Sequence, residues 1–374
     1  MAFDLTALLG FAHDQGASDL HISAGLPPMI RIRGEMVRLD LPALAADDAH
    51  ASIYDILNDE QKRVFEADRE LDFAFEIKGL SRFRANVFRQ QRGEAAVFRL
   101  VPNVVKTLEE LAMPKILQDL ASREKGLVLV TGPTGSGKST TLAAMINHVN
   151  ENERGHIITV EDPIEFVHES KRCLVNQREV GYHTHSFTNA LRASLREDPD
   201  VILVGELRDL ETTQLAITAA ETGHLVFATL HTNSASKTVD RIIDIFPSGQ
   251  QAQIRTMLSE SIEGVVCQSL LPSKDGKGRV AALEVLVAVP ALRNLIREDK
   301  TAQILSVIQT GAQHGMQSLD QSLRELVMQG RLSRDEAMKK SSNPRLFEGA
   351  GGPAGSGVPP APASGAPNRP AVAR

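Results

Sequence analysis

A glycine-rich segment carries residue types that bind phosphate. Residues 132–140 read GPTGSGKST and match the pattern GxxxxGK[ST]. Backbone N–H groups of such a loop close around phosphate oxygens, the lysine reaches the β- and γ-phosphates, and the first hydroxyl after it binds Mg²⁺. The candidate ligand-binding residues are Gly132, Pro133, Thr134, Gly135, Ser136, Gly137, Lys138, Ser139 and Thr140. We expect the Lys138 side chain to face solvent while the site is empty.

Two acidic segments could serve the metal and the attacking water. Residues 198–206 read DPDVILVGE and resemble a Walker B strand, with Gly205 where the acid commonly sits. Glu206, one position later, is therefore our candidate for Mg²⁺ or its water shell. Residues 159–165 read TVEDPIE, and we choose Glu165 as the base that orients the water. The alternative is that these acids cap helices or lie solvated in loops.

One histidine and two arginines complete the candidate site. His231 follows the apolar run HLVFATL and could sense the γ-phosphate through hydrogen bonds. Arg82 and Arg84 alternate with apolar residues in SRFRANVF, so both guanidinium groups lie on one face of a predicted strand. They could act in trans as arginine fingers on a neighbouring subunit's nucleotide, or they could form an ordinary solvated strand face.

Alternating strands and helices are predicted around these residues. Leu142, Met145, Ile146 and Val149 share one helical face directly after the glycine-rich loop. Near-continuous apolar strands separated by helices indicate an α/β fold with a parallel sheet covered on both faces. The predicted strands of this part are 126–131, 156–160, 201–205 and 224–230, and the predicted helices follow Gly137 and span about 187–196 and 211–222.

Length and composition bound the remaining possibilities. The 374 residues suggest two or three domains, and a net charge of −6 with few aromatic residues opposes nucleic-acid binding. Two cysteines and the absence of a long apolar run favour a cytosolic protein without a transmembrane segment. The predicted divisions are an α+β domain at 1–100, a linker at 101–114, an α/β domain at 115–347, and a disordered Gly/Pro/Ala-rich tail at 348–374.

Taken in order, these motifs resemble the secretion-superfamily ATPases, and specifically the PilT-like type IV pilus retraction ATPases. The resemblance covers about residues 1–347. ALRNLIRE is its narrowest motif, because it resembles the AIRNLIRE sequence that is linked to retraction in that family. The segments that carry the resemblance are ASDLHIS (17–23), GPTGSGKST (132–140), ITVEDPIEF (158–166), EDPDVILVGELRD (197–209), ETGHLVFATLHTNSA (221–235) and ALRNLIRE (291–298).

The resemblance implies a PAS-like N-terminal domain and a RecA-like P-loop ATPase domain that hydrolyses ATP with Mg²⁺. It implies a homo-hexamer at the cytoplasmic face of the inner membrane, where hydrolysis would turn a platform protein so that pilin leaves the fibre and twitching motility results. A second retraction ATPase could be a further partner. Arg82, Arg84 and Arg99 match the arginines that help close the nucleotide site.

Other functions remain open on the sequence. A pilus-extension or type II secretion ATPase shares the ATPase motifs, although the four-cysteine metal motif of many such motors is absent here. A RecA-like nucleic-acid-handling ATPase and a non-catalytic ring subunit are also considered. A small-molecule P-loop kinase is disfavoured because no acceptor motif is apparent.

Overall fold

The computed structural model describes residues 4–348 except 33, 102 and 103, so the predicted tail from 349 to 374 lies outside the described residues. The described residues of the N-terminal part, up to Val101, form α1 (Leu5–Asp14), β1 (Asp19–Ser23), β2 (Met29–Ile32), β3 (Glu35–Arg38), α2 (Ala46–Asp55), α3 (Asp59–Asp68), β4 (Glu70–Ile77), β5 (Ser81–Gln90) and β6 (Gly93–Val101). These six strands form one antiparallel sheet in the order β3-β2-β1-β6-β5-β4.

Strand β5 explains how this part both holds a core and presents charge. Phe83, Ala85 and Val87 are buried against the helices, whereas Arg82 and Arg84 project from the opposite face. The period of two along a strand produces this division. The prediction that both guanidinium groups share a strand face is confirmed.

The second part is built on a sheet of β7 (Gly126–Thr131), β8 (His156–Glu161), β9 (Leu174–Glu179), β10 (Val201–Val204), β11 (Leu225–Leu230), β12 (Ile262–Pro272) and β13 (Arg279–Val287). The order of these seven strands is β13-β12-β7-β11-β10-β8-β9. All neighbouring strands are parallel except β12 and β13, which pair antiparallel. The predicted parallel α/β sheet is thus confirmed, with one antiparallel edge strand added.

Helices cover this sheet and extend beyond it. The apolar residues predicted to share one face of the helix after Gly137 are all buried in the core. The helices are α4 (Ile116–Ala121), α5 (Lys138–Asn152), α6 (Phe187–Ser194), α7 (Leu210–Glu221), α8 (Ala235–Asp244), α9 (Ser248–Ser261), α10 (Pro290–Arg297), α11 (Ile304–Thr310), α12 (Leu319–Met328) and α13 (Arg334–Lys340). Short 3₁₀ turns lie at Thr301–Gln303, Ala312–His314 and Pro344–Phe347.

None of the helices in the described ranges is both long and apolar enough to cross a membrane. Both cysteines, Cys173 and Cys267, are buried and unpaired.

Candidate nucleotide-binding site

A cavity of about 970 Å³ lies at the carboxyl ends of the parallel strands, where open α/β sheets bind ligands. It extends from the glycine-rich loop to the N-terminal domain. Residues predicted from separate motifs meet along its wall: Thr134, Gly135, Gly137, Lys138, Ser139, Thr140, Glu165, Glu206, His231 and Arg99.

Strand β7, the glycine-rich loop and helix α5 follow one another without a break. Gly137 is the residue before the helix and has a φ of 88°, a left-handed conformation that glycine adopts without strain. No side chain caps the N-terminus of α5. Its first-turn N–H groups are therefore free to bind an anion, and the helix dipole favours negative charge there.

Contrary to expectation, the Lys138 side chain does not extend into solvent. Its Nζ donates to the Gly132 carbonyl at 2.8 Å and to the Pro133 carbonyl at 3.3 Å, so the ammonium folds back over the loop. Burial lowers the pKa of Lys138, while the Glu206 carboxylate opposes that shift. The loop carbonyls thus hold the ammonium on the lining of the cavity.

A buried glutamine that the sequence reasoning missed braces the loop from the neighbouring strand. Gln268 on β12 donates from Nε2 to the Ser136 carbonyl and accepts from Thr141 Oγ1, both at 2.7 Å. The Ser136 hydroxyl is buried and has no hydrogen-bond partner among the described residues. No local motif marks Gln268, because it lies 132 positions from Ser136 in the chain.

Glu206 lies beyond the end of β10 and contacts two basic side chains. Its Oε1 is 3.1 Å from His231 Nε2, and its Oε2 accepts from Arg208 Nε at 2.9 Å. Arg208 also lies 3.6 Å from Asp162. Strands β10 and β11 are parallel neighbours, which is why the residues that follow them meet. The structure therefore brings together the two residues that the sequence proposed for metal binding and γ-phosphate sensing.

The glycine in the Walker B segment has a steric reason. A Cβ on Gly205 would lie 3.2 Å from the Val160 carbonyl oxygen and 3.3 Å from Glu161 Cα, on the adjoining strand β8. Those contacts are tighter than ordinary van der Waals separations. A carboxylate is therefore better accommodated one residue later, at Glu206.

Two glutamates of the segment after β8 have different environments. Glu161 is 9% exposed, and burial raises its pKa against hydrogen bonds from Thr159 and Gln177. The Glu165 side chain is about half exposed, at 48%, and lies 3.1 Å from Arg84. Both line the cavity. Glu165 is thus accessible to a water molecule but is paired with a guanidinium group in this conformation.

Arg82 and Arg84 connect the two domains within one chain. Arg82 donates to Glu179 at 3.0 Å, and Arg84 donates to the Ile164 carbonyl at 3.1 Å and pairs with Glu165. The arginine side chains are only 16% and 22% exposed, so the alternative of a solvated strand face is wrong. We call these contacts the domain seam.

Arg99 behaves differently from the two seam arginines. Its Nε donates to Asp19 at 2.8 Å, within the N-terminal domain, and its side chain is 64% exposed. It also lines the cavity. The ion pair with Asp19, which belongs to the ASDLHIS segment, fixes the direction of Arg99 toward its own domain.

The residues present fit a Mg²⁺ ion shared with phosphates. Ser139 offers a hydroxyl at the start of α5, and Glu206 offers a carboxylate on the same cavity wall. In the ranges the structure describes, no group of three or more His, Cys, Asp or Glu side chains could hold a metal alone. Mg²⁺ commonly binds through one or two protein oxygens, waters and substrate phosphates, so a sparse donor set is sufficient.

Comparisons with known proteins agree with this geometry. Residues 4–277 match the family model described as type II/IV secretion system protein. The chain is 58% identical over 344 residues to the type IV pilus retraction ATPase PilT of Pseudomonas aeruginosa strain PAO1, covering 92% of this chain and 100% of that protein. It is 54% identical to the twitching motility protein of Neisseria gonorrhoeae, covering 92% of each.

A solved structure extends the likeness to three dimensions. The crystal structure of the pilus retraction motor PilT with bound ADP superposes with a TM-score of 0.86 at 47% identity, covering 92% of this chain and 98% of that one. The mixed α/β architecture is therefore shared along nearly the whole chain.

Proposed function

Because the chain belongs to the type II/IV secretion system protein family, we propose that it is an ATPase that powers type IV pilus retraction. The observation that carries the proposal is one cavity in which Lys138, Glu206, His231 and Glu165 meet. A high identity to a retraction ATPase over its entire length supports the same conclusion. ATP is the proposed substrate, since the loop and helix α5 are suited to bind phosphate and the similar retraction motor structure holds ADP.

The proposed hydrolysis assigns one task to each residue. Lys138 exchanges its loop carbonyls for the β- and γ-phosphates and neutralises their charge. Glu165 orients the attacking water. Glu206 and His231, at the carboxyl ends of β10 and β11, respond to the γ-phosphate. A Mg²⁺ ion held by Ser139 and Glu206 would supply further charge neutralisation.

The domain seam is where we propose that hydrolysis changes the arrangement of the two domains. Arg84 contacts the same glutamate that we assign to water orientation, so the charge state of the cavity and the docking of the N-terminal domain are linked. Bound nucleotide would favour one arrangement of the two domains, and its loss would release it. The motor task is therefore proposed to arise from this change of docking.

The assembly belongs to the same proposal. We place the chain in a homo-hexamer at the cytoplasmic face of the inner membrane, bound to a pilus platform protein, with a PAS-like N-terminal domain. A second retraction ATPase could share that partner. Arg82, Arg84 and Arg99 are the candidates for closing the nucleotide site between domains, in cis or toward a neighbouring subunit.

Pili counted on cells test the proposal. In cells whose only copy carries Lys138→Ala, phosphate binding should be lost because no other ammonium lies within the loop. We expect excess surface pili and no twitching motility. Lys339→Ala is the matched control, because Lys339 is exposed and, among the residues that the structure describes, its ion pair is with Glu336 on α13.

Each other outcome points to a different function. Bald cells would indicate an extension motor. Unchanged pili and motility would favour a nucleic-acid-handling ATPase or an accessory subunit. Salt-sensitive binding of DNA by the purified chain would separate those two.

A further inference from the structure

We propose that Gln268 is a positioning residue that keeps the Ser136 carbonyl out of the phosphate-binding space; the inference rests on the proposed ATPase function. The side chain is 3% exposed and lies between β12 and the loop. A carbonyl oxygen only accepts hydrogen bonds, so the amide must present Nε2 to Ser136. Its Oε1 then receives the Thr141 hydroxyl.

The direction of one carbonyl decides the direction of one N–H. The Ser136 carbonyl and the Gly137 N–H belong to a single trans peptide unit, in which the two groups point in opposite directions. Since Gln268 holds the carbonyl toward β12, the Gly137 N–H points away from the sheet residue and toward the open side of the loop. That side is where phosphate oxygens would bind.

The loop needs this restraint because its glycines permit other orientations. Gly135 and Gly137 both have positive φ values, and glycine passes between the signs of φ at little cost. A carbonyl turned toward the ligand would place partial negative charge against phosphate oxygens. A buried donor that is itself fixed by Thr141 prevents that rotation.

The close approach of Gln268 to the loop also explains why Gly132 and Gly137 are glycines. A Cβ on Gly137 would lie 2.8 Å from Gln268 Nε2, and a Cβ on Gly132 would lie 2.3 Å from the Gln268 carbonyl oxygen. The backbone and the side chain of one residue on β12 therefore occupy the space beside two loop positions. The loop and β12 fit together as one unit.

The test compares Gln268→Met with Gln317→Met in the full chain. Methionine keeps the length of the side chain and removes its hydrogen bonds. Gln317 also donates its Nε2 to a backbone carbonyl, that of Leu283, but lies outside the cavity lining. We measure the Kd for ADP, the KM and kcat for ATP, and the melting temperature without nucleotide.

In Gln268→Met we expect the Kd for ADP and the KM for ATP to rise about five- to tenfold, which corresponds to one hydrogen bond. The value of kcat should change less, because the Gly137 N–H contacts phosphate in the ground state and the transition state alike. Gln317→Met should leave all three constants unchanged. Thr141→Val should weaken ADP binding about two- to threefold, and the double variant should bind no more weakly than Gln268→Met.

Wild-type ADP affinity in a folded Gln268→Met variant would overturn the inference, as would an equal loss in Gln317→Met. If Gln268→Met does not fold, Thr141→Val decides by the same criterion. A wild-type chain that binds no ADP would overturn the proposed function, and this inference with it. Binding by the wild type with unaltered variants overturns the positioning role alone.

Discussion

The phosphate loop lines the cavity and the domain seam reaches it only at Glu165, and different interactions hold the two regions in place. The loop is held by the Lys138 ammonium on the Gly132 carbonyl and by the buried amide of Gln268 on the Ser136 carbonyl. The seam is fixed by guanidinium groups of one domain that contact carboxylates of the other. Covalent neighbours and a buried strand hold the loop, whereas the seam depends on side-chain charges that can exchange partners.

This difference suggests a division of labour. A loop whose hydrogen bonds are buried cannot rearrange without leaving polar groups unpaired, and that cost favours a single geometry. An ion pair at a domain boundary can be broken when a competing negative charge enters the cavity. The Ser136 peptide is therefore fixed in the structure, whereas the docking of the two domains can change.

The largest effect is expected at Glu206, beyond the carboxyl end of β10. Glu206→Gln should lower kcat for ATP on the order of 10²–10³-fold, the range seen when one stabilising group of a transition state is removed. The Kd for ADP should change less than about twofold, because the loop keeps its own contacts. Steady-state hydrolysis and ADP titration check both values.

Glu221→Gln is the control for that experiment, since Glu221 is exposed at the far end of α7. A large increase of the Kd for ADP in Glu206→Gln would show that the phosphate loop depends on Glu206. That result would contradict the conclusion that the loop is held by its own contacts.

Removal of Arg82 tests the buried half of the seam. Glu179 is only 4% exposed, and without Arg82 its Oε2 would keep, among the described residues, the hydrogen bond from the Ile164 N–H. Because a buried carboxylate would lose its charged partner, Arg82→Ala should cost about 3 kcal/mol of unfolding free energy. Urea denaturation measures it. Arg192→Ala removes an exposed pair with Glu211 and should cost less than about 1 kcal/mol. Equal losses would contradict a special role for burial.

Protonation of His168, on the segment between β8 and β9, offers a third test. Burial, with help from Lys171, lowers the pKa of His168 to about 4, below the ordinary value of 6.5. The unfolded chain therefore binds the proton first as the pH falls, and stability present above pH 6.5 is lost between 6.5 and 4. The loss should be on the order of 2 kcal/mol at pH 5.

His168→Gln should flatten that pH dependence in urea titrations at pH 7 and pH 5. An unchanged slope in this variant would assign the acid sensitivity to other groups.

The smallest effect is expected from Arg84→Ala. Its partner Glu165 is 48% exposed and can be hydrated when the guanidinium is removed, so the cost should be about 1 kcal/mol of unfolding free energy. The same urea denaturation measures it beside Arg82→Ala. A loss as large as that of Arg82→Ala would show that the exposed half of the seam carries the docking energy.

Much of the part built on the seven-stranded sheet follows from local patterns. The apolar residues that follow Gly137 at helical spacing are buried as expected, and the predicted strands coincide with β7, β8, β10 and β11 to within a residue at either end. Strand β9 was not predicted, because LVNQRE at Leu174–Glu179 alternates too many polar residues to resemble a buried strand. It lies at the sheet edge, where such residues are tolerated.

By itself the sequence determined the phosphate loop, the parallel sheet beneath it and the acids that follow its strands. These depend on residues close together in the chain, where spacing translates directly into position on a strand or helix. Only the tertiary structure decided that the Gln268 amide donates to the Ser136 carbonyl and that the Lys138 ammonium folds onto its own loop. The same holds for the ion pair between Arg82 and Glu179. Those contacts join distant segments, and strand order and domain docking set their distances.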